Sequence, residues 1–258
     1  MNIYYINLER SPLRRERLEK CLSSYSLSFT RIDAVDAKNL SDEYVAQYYD
    51  PKINPHRYFA PLKKSEIACF LSHRKALQEF IASDAADVAI ILEDDLEFVE
   101  DPTPLIEDLQ HKLNWKIEPL MIKLYSVRKN ASAHITSLAG GYSLTLPALC
   151  PLNTSAQIFN KAGAIRFLES TQSIVLPVDV TLQFAWEIPM LVLQVQPNLV
   201  RSTSDEVGGS TISETSTQFS IKKIRREVQR PLFRLRVWLA AFLRLNRSAD
   251  EIASVIVK

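Results

Sequence analysis

The chain alternates short apolar runs with amphipathic segments, a pattern that predicts an α/β protein. Residues 2–8 read as a first strand, with polar Asn7 and the charged pair Glu9 and Arg10 marking its exit. Ser11 before Pro12 has the form of a helix start, so a helix is predicted from about 12 to 23, apolar at Leu18 and Leu22 and basic at Arg17 and Lys20. Residues 29–35 read as a second strand ending at Asp36. A β-α-β start with polar residues at both strand ends is the opening of a doubly wound sheet.

Further along, a short helix is expected near 41–48, followed by a proline-punctuated loop through Pro51, Pro55 and Pro61. A well-patterned helix is expected over 65–82, where Ile67, Phe70, Leu71, Leu77 and Ile81 largely share one face. Residues 88–92 read as the central strand, and Asp101-Pro102 opens a helix running to about 113. Strands are predicted at 120–125, 142–146, 157–160 and 192–195, with a helix at 161–172. Residues 197–220 form a long polar segment without a core face.

Composition changes this picture little, but charge distribution changes it more. At 258 residues, with 47% hydrophobic and 24% charged positions, the chain suits one large domain with a short appendage. The net charge of +1 conceals an asymmetry: Lys222 to Arg247 holds nine Lys/Arg and one Glu. The body is therefore acidic and the tail basic, which divides the chain into a domain over 1–220 and a basic amphipathic tail over 221–258. In the tail, Ile224, Val228, Leu232, Leu235, Leu239 and Phe242 recur at helical spacing beside Trp238, flanked by arginines. Such a helix suits either an anionic membrane surface or packing on the body. Pro231 is expected to kink the helix or to start a second one. Cys21, Cys69 and Cys150 are far apart and without metal-ligand spacing, so they read as small buried hydrophobes in a reducing compartment. No run long and apolar enough to span a bilayer occurs, and the first residues carry no signal-peptide pattern, so a cytoplasmic protein is expected.

The chemistry concentrates where residues 88–92 run into Glu93-Asp94-Asp95. Three adjacent carboxylates at the C-terminal end of a buried strand repel one another unless a cation neutralises them, and hard oxygen ligands suit Mg²⁺ or Mn²⁺. In an extended backbone Glu93 and Asp95 point one way and Asp94 the other. Just after the first strand, Arg10, Arg14 and Arg17 stand near a helix start, an arrangement that suits phosphates. No GxGxxG and no P-loop pattern is present. Glu66, Ser72 and His73 are polar positions threaded through an apolar helix, and Glu66 and His73, two turns apart, share a face.

These segments together resemble glycosyltransferase family 25. They are Asn7-Leu8 with Arg10, Arg14 and Arg17; Ala34-Val35-Asp36-Ala37; Glu66-Ile67-Ala68-Cys69 with Ser72-His73; and Ile90 through Asp95. Ala156 through Ala164 and Pro177-Val178-Asp179 extend the resemblance over roughly residues 1–210. The family comprises lipopolysaccharide-biosynthesis transferases related to bacterial β-1,4-galactosyltransferases and collagen galactosyltransferases. The resemblance implies a GT-A-like fold with a mixed, mainly parallel central sheet. It implies an inverting transfer of a hexose, most often galactose, from a UDP-sugar to a lipopolysaccharide or lipooligosaccharide glycan. Carried onto this chain, Asp95 and Glu93 would face the metal, Mn²⁺ or Mg²⁺, and Asp94 the ribose. Asp36 would contact uridine. Asn7, Leu8, Arg10 and Arg14 would line the nucleotide pocket, with Glu66, Ser72 and His73 beside the donor. Asp179 is the first candidate for general base or acceptor-binding acid, its alternative reading being a helix cap; Glu187 and Asp205 follow.

Two features depart from the family pattern. No histidine lies beyond His134 to serve as a late metal ligand, and Asn153-Thr154-Ser155 stands where Gly-Thr residues are usual. The expected partners are a nucleotide-sugar donor, a lipid-linked oligosaccharide acceptor and an anionic membrane surface, and no nucleic acid. The expected location is the inner face of the bacterial inner membrane. Two rivals stand beside this reading: a non-catalytic transferase-like scaffold, and a receiver-like domain phosphorylated at Asp94 or Asp95.

Overall fold

The computed structural model describes residues 1–116, 118–128, 131–184, 187–203, 229–239, 252 and 255–256. Along the chain run β1 (Asn2–Asn7), α1 (Pro12–Ser24), β2 (Phe29–Asp33), α2 (Asp42–Ala46), α3 (Asn54–Arg57) and α4 (Lys64–Ser83). Then come β3 (Val88–Glu93), β4 (Leu96–Phe98), α5 (Thr103–Lys112), β5 (Leu120–Lys123), β6 (Ser132–Ser137), β7 (Ser143–Pro147) and β8 (Ala156–Asn160). The remaining named elements are α6 (Lys161–Ser170), α7 (Val178–Gln183), β9 (Leu191–Gln196) and β10 (Val200–Ser202).

Among the described residues, eight strands form one sheet in the order β2-β1-β3-β8-β5-β9-β7-β6. β1 pairs parallel with β2 and β3, and β5 with β9, while β8 and β7 are antiparallel to both their neighbours. All strands but β8 and β7 therefore point the same way. The expected mixed, mainly parallel α/β sheet is what the chain forms. The reversed β8 has a consequence for the site: its first residues emerge beside the last residues of β3.

Both faces of the sheet are covered, and strand periodicity assigns the faces. Ile3, Tyr5, Ile90, Leu92, Ile122 and Ile158 pack with Leu18 and Leu22 of α1 and Leu105 and Leu109 of α5. The alternate residues Tyr4, Ile6, Ala89, Ile91, Met121 and Phe159 pack with α4 and α6 through Phe70, Leu77 and Phe167. α6 lies so close to β5 that a Cβ on Gly163 would stand 2.5 Å from the Leu120 carbonyl oxygen. Only glycine allows that approach.

The long elements follow their predicted bounds within a few residues, because each carries a full period of apolar positions. The pattern missed β4, β10 and β6. β4 and β10, three residues each, are too short to show a period, and they pair as a separate antiparallel ribbon. β6 is mostly exposed and has no buried face to advertise it. Cys150 is buried, as expected of a small core residue, whereas Cys21 and Cys69 are only partly buried and Cys69 lines the cavity described below.

The predicted boundary at 220/221 and the candidate Asp205 lie outside the described residues, as do Ile224, Val228 and Phe242 of the tail stripe. Residues 229–239 are helical, with Pro231 in the first turn described. The residues that fasten this helix to the body are Phe233 and Val237, not the expected stripe of Leu232, Leu235 and Leu239, which is exposed. Further on, Val255 is fully buried against the body, where its carbonyl accepts from Asn114 N at 2.7 Å. No described helix is long and apolar enough to cross a membrane.

Candidate functional site

The C-terminal ends of β1, β2 and β3 and the start of β8 meet at one edge of the sheet. A cavity of about 490 Å³ opens there, within the size range of small-molecule sites. Most of the residues singled out from sequence line it: Leu8, Arg10, Arg14, Asp36, Glu66, Ser72, His73, Glu93, Asp94, Asp95 and Asp179. Thr154 and Ser155, just before β8, close the wall. Open α/β sheets bind ligands at this edge because strand ends and following loops leave a crevice there.

Strand register decides which way each carboxylate points. Glu93 continues the face of Ala89 and Ile91 and turns toward α4. Its Oε1 stands 3.0 Å from His73 Nε2 and accepts from Thr154 Oγ1 at 2.7 Å, and Oε2 lies 3.4 Å from Ser155 Oγ. Asp94 points to the opposite face. It accepts from Asn7 Nδ2 at 2.7 Å and from Arg14 Nη1 at 3.2 Å. Asp95 does not return to the side of Glu93 as strict alternation predicts, since its Oδ2 stands 3.7 Å from the same Arg14 nitrogen. The reason is local: β3 ends at Glu93 and the chain bends through Asp94 and Asp95.

The electrostatics follow from this geometry. Burial raises the carboxyl of Glu93, but its hydrogen bonds with His73 and Thr154 and the nearby charge of Lys123 outweigh it and hold it below the usual range. Burial also raises Asp94, and there it prevails over Asn7 and Arg14. The Cys69 thiol is pushed well up by burial and by the acids around it, Glu93 first. Asp36 is held below the ordinary value chiefly by its hydrogen bond from Arg10 Nε at 2.6 Å. That contribution to stability is present above 3.8, the ordinary value, and is lost as pH falls through the depressed folded value. Arg10→Ala should therefore be slightly less stable than wild type near neutrality, and their chemical denaturation curves should converge in acid. A gap that widens in acid would contradict this.

Several predicted residues serve the scaffold, and Asn7, expected in the nucleotide pocket, is buried outside the cavity lining. Asn7 bridges Asp94, the Ser11 carbonyl and Arg31 Nε. Glu66 accepts from Lys63 N at 2.8 Å, capping the start of α4. Ser72 accepts from Val35 N and donates to the Ala68 carbonyl, tying the wall at 34–37 to α4. Asp179 is the second residue of α7, with Pro177 in the capping position, and its Oδ1 accepts from Val180 N at 2.8 Å, so the carboxylate serves the first turn of the helix as well as lining the cavity. Its Oδ2 lies 3.4 Å from Asn153 N. Glu187 is not among the cavity residues; it pairs with Arg57. Arg17 also turns elsewhere, to Glu97 at 2.8 Å.

Sequence reasoning missed Lys123. It is wholly buried, donates to the Asn153 carbonyl and lies 3.5 Å from Gln157 Oε1, while Gln157 Nε2 lies 3.4 Å from His73 Nδ1. Register puts it beside Gln157 of β8 and Gln194 of β9, so a buried polar row crosses the sheet behind the cavity. The signal available was one lysine inside the apolar run 120–124, since a buried charge is costly unless it is partnered.

Asp95 places a hard carboxylate donor of the kind that suits a divalent cation on the cavity wall, whereas Glu93, the second acid expected to face the metal, turns to His73 and Thr154 instead. A second, softer group lies alongside, where ligand atoms of Cys69, His73 and Glu93 fall within 4.8 Å of one another.

Fold and cleft together define an α/β protein with its ligand crevice at the carboxyl ends of parallel strands. Residues 1–142 match the family described as glycosyltransferase family 25 (LPS biosynthesis protein). The chain belongs to that family. It is 27% identical over 242 residues to the human inactive glycosyltransferase 25 family member 3, covering 83% of this chain and 39% of that protein. It is 31% identical over 128 residues to procollagen galactosyltransferase 1-B of Xenopus laevis, covering 45% of this chain and 20% of that protein. The chain thus spans well under half the length of these relatives. Among solved structures it is distantly similar to a glycosyltransferase involved in glycosylation of the major capsid of PBCV-1. That likeness has a TM-score of 0.38 and 10% identity, over 89% of this chain and 98% of the other. A Drosophila β-1,4-galactosyltransferase 7 mutant in complex with manganese, UDP-Gal and xylobiose is similar at TM-score 0.35 and 12% identity, over 87% of this chain and 79% of that one.

Proposed function

We propose that the protein is an active inverting hexosyltransferase of GT-A type. It moves galactose from UDP-galactose to a lipopolysaccharide or lipooligosaccharide glycan, at the inner face of the bacterial inner membrane. The observation that carries this reading is the convergence of Glu93, Asp94 and Asp95 with Arg10, Arg14 and Asp36 in one cavity. In this reading Asp36 meets the uridine, Asp94 the ribose, and Arg10 and Arg14 lie beside the diphosphate. Asp95 would hold a divalent cation, Mn²⁺ or Mg²⁺, and the cation would supply neutralisation of the leaving diphosphate. Asp179 of the cavity lining takes the proton of the acceptor hydroxyl. The hydroxyl oxygen bonds to C1 from the face opposite the leaving group, the C1–O bond to UDP breaks, and UDP departs with the electron pair.

A second reading is favoured by one finding, the inactive standing that the human relative carries in its name. In that reading the cleft binds without turnover. Family membership leaves the receiver-like alternative without support. UDP release from a panel of UDP-sugars, with Mn²⁺ or with EDTA, separates the two. Slow hydrolysis of UDP-galactose that needs the cation supports the transferase. UDP binding without hydrolysis of any donor, with or without a lipooligosaccharide acceptor, favours the binding protein.

A further inference from the structure

Among the described residues, the helix over 229–239 is fastened to the body through Phe233, Val237 and Arg230. Phe233 packs against Tyr58, Phe59 and Phe184 with ring centroids 5.5, 5.6 and 5.7 Å apart, and Val237 is buried with Leu176, Val180 and Phe184. The guanidinium of Arg230 sits 5.7 Å over the Phe59 ring. These contacts fix which face looks outward.

At 3.6 residues per turn, Leu232, Leu235, Trp238 and Leu239 fall within an arc of about 120° on the side away from Phe233 and Val237. They are 65, 52, 55 and 49% exposed, so four large apolar side chains form a ridge on the surface. Arg236 flanks the ridge on one side and Arg234 on the other, both exposed, and residues 229–239 contain no acid. A solvated face does not need four large apolar groups, and an ordinary packing face does not put them outside.

We infer that this docked helix is an in-plane contact for an anionic phospholipid surface, with the Leu232–Leu239 ridge entering the headgroup boundary and the flanking arginines meeting lipid phosphates. Charge decides against a second copy of the chain. A two-fold contact through this ridge would bring Arg234 and Arg236 of both copies together with no acid from the helix to answer them. The docking also has a directional consequence, which rests on the transferase reading. Val180, which packs with Val237, lies on α7 next to Asp179 of the cavity wall. Binding through the ridge would hold the acceptor side of the cleft next to the bilayer.

The test is co-sedimentation of the full chain with phosphatidylcholine vesicles with and without 30% phosphatidylglycerol. Leu235→Glu with Leu239→Glu, and Arg234→Gln with Arg236→Gln, are the variants, and circular dichroism and thermal unfolding check that each is folded. Wild type should bind the anionic vesicles and bind neutral ones weakly. Each double variant should lose roughly tenfold or more of that binding while remaining folded. Wild-type-like binding by the leucine variant would overturn the inference, because other basic segments would then carry the interaction. Absence of vesicle binding would also overturn it, as would a dimer in solution that the leucine variant dissolves. No turnover is measured, so a failed hydrolysis assay with intact vesicle binding would count against the transferase reading alone.

Discussion

Asp95→Ala is expected to lower UDP-sugar turnover by roughly 10²–10³-fold or more while leaving the fold intact, the scale of losing one transition-state charge stabiliser. The structure separates the two effects. The Asp95 backbone is held by its carbonyl, which accepts from Thr203 N at 2.7 Å, and that bond does not depend on the side chain. The carboxylate itself lines the cavity. Removing it also takes one acid away from Arg14, with Asp94 remaining at 3.2 Å. The melting temperature should therefore move little, while kcat falls and the response to Mn²⁺ weakens. Asp94→Ala should behave differently. It removes a hydrogen-bond acceptor from both Asn7 and Arg14, which are buried, so stability falls together with activity. Steady-state hydrolysis measured beside thermal unfolding decides the matter. Unchanged turnover in folded Asp95→Ala would remove this residue from the chemistry.

The largest stability loss is expected at Asn160, which no catalytic role requires. Its side chain is wholly buried and satisfies four backbone groups. Oδ1 accepts from Leu120 N at 2.9 Å and from Gly163 N at 2.7 Å; Nδ2 donates to the carbonyls of Trp115 at 2.8 Å and Glu118 at 2.6 Å. It is at once the N-cap of α6 and the clamp that fixes the entry to β5. An unmet buried polar group costs about 1–3 kcal/mol and a lost cap about 1 kcal/mol. Some of the exposed groups will find water, so Asn160→Ala should cost about 3–5 kcal/mol in denaturant unfolding. Asn160→Asp keeps the acceptor but turns an oxygen toward two carbonyls. The buried acid then favours its protonated form, so its folded value is raised. The loss should grow as pH rises from the ordinary aspartate range and be complete above the raised value. A cost below about 1 kcal/mol for the alanine variant would show that the clamp is dispensable.

Legibility in the sequence followed periodicity and local chemistry. The helix α4 was readable because twenty residues repeat an apolar face several times, and β3 because its apolar run ends abruptly in acids. Ser11-Pro12 announced α1 with near-exact bounds. The ribbon of β4 and β10 was not readable, because three residues carry no period and the partner lies about a hundred positions away. Lys123 stayed hidden because nothing nearby in sequence names its partners: Asn153 and Gln157 come from the far side of the β6–β7 hairpin. Glu187 was drawn in as a candidate acid, but its charge is taken up by Arg57, 130 positions earlier.

The sequence by itself determined the α/β class, the order of the long elements, the acidic strand end and the roster of polar residues around it. It could do so because hydrophobic period and strand-end polarity are local properties. Only the tertiary structure decided that β8 runs backward and delivers Thr154 and Ser155 to Glu93, that Arg14 joins Asp94 to Asp95, and that Glu187 stands outside. It alone decided that the basic helix docks through Phe233 and Val237 and turns its leucine stripe outward. Those outcomes depend on strand direction, on the exact residue where a strand ends, and on competition between distant partners for one charge or one face. None of these is encoded in a stretch short enough to be read alone.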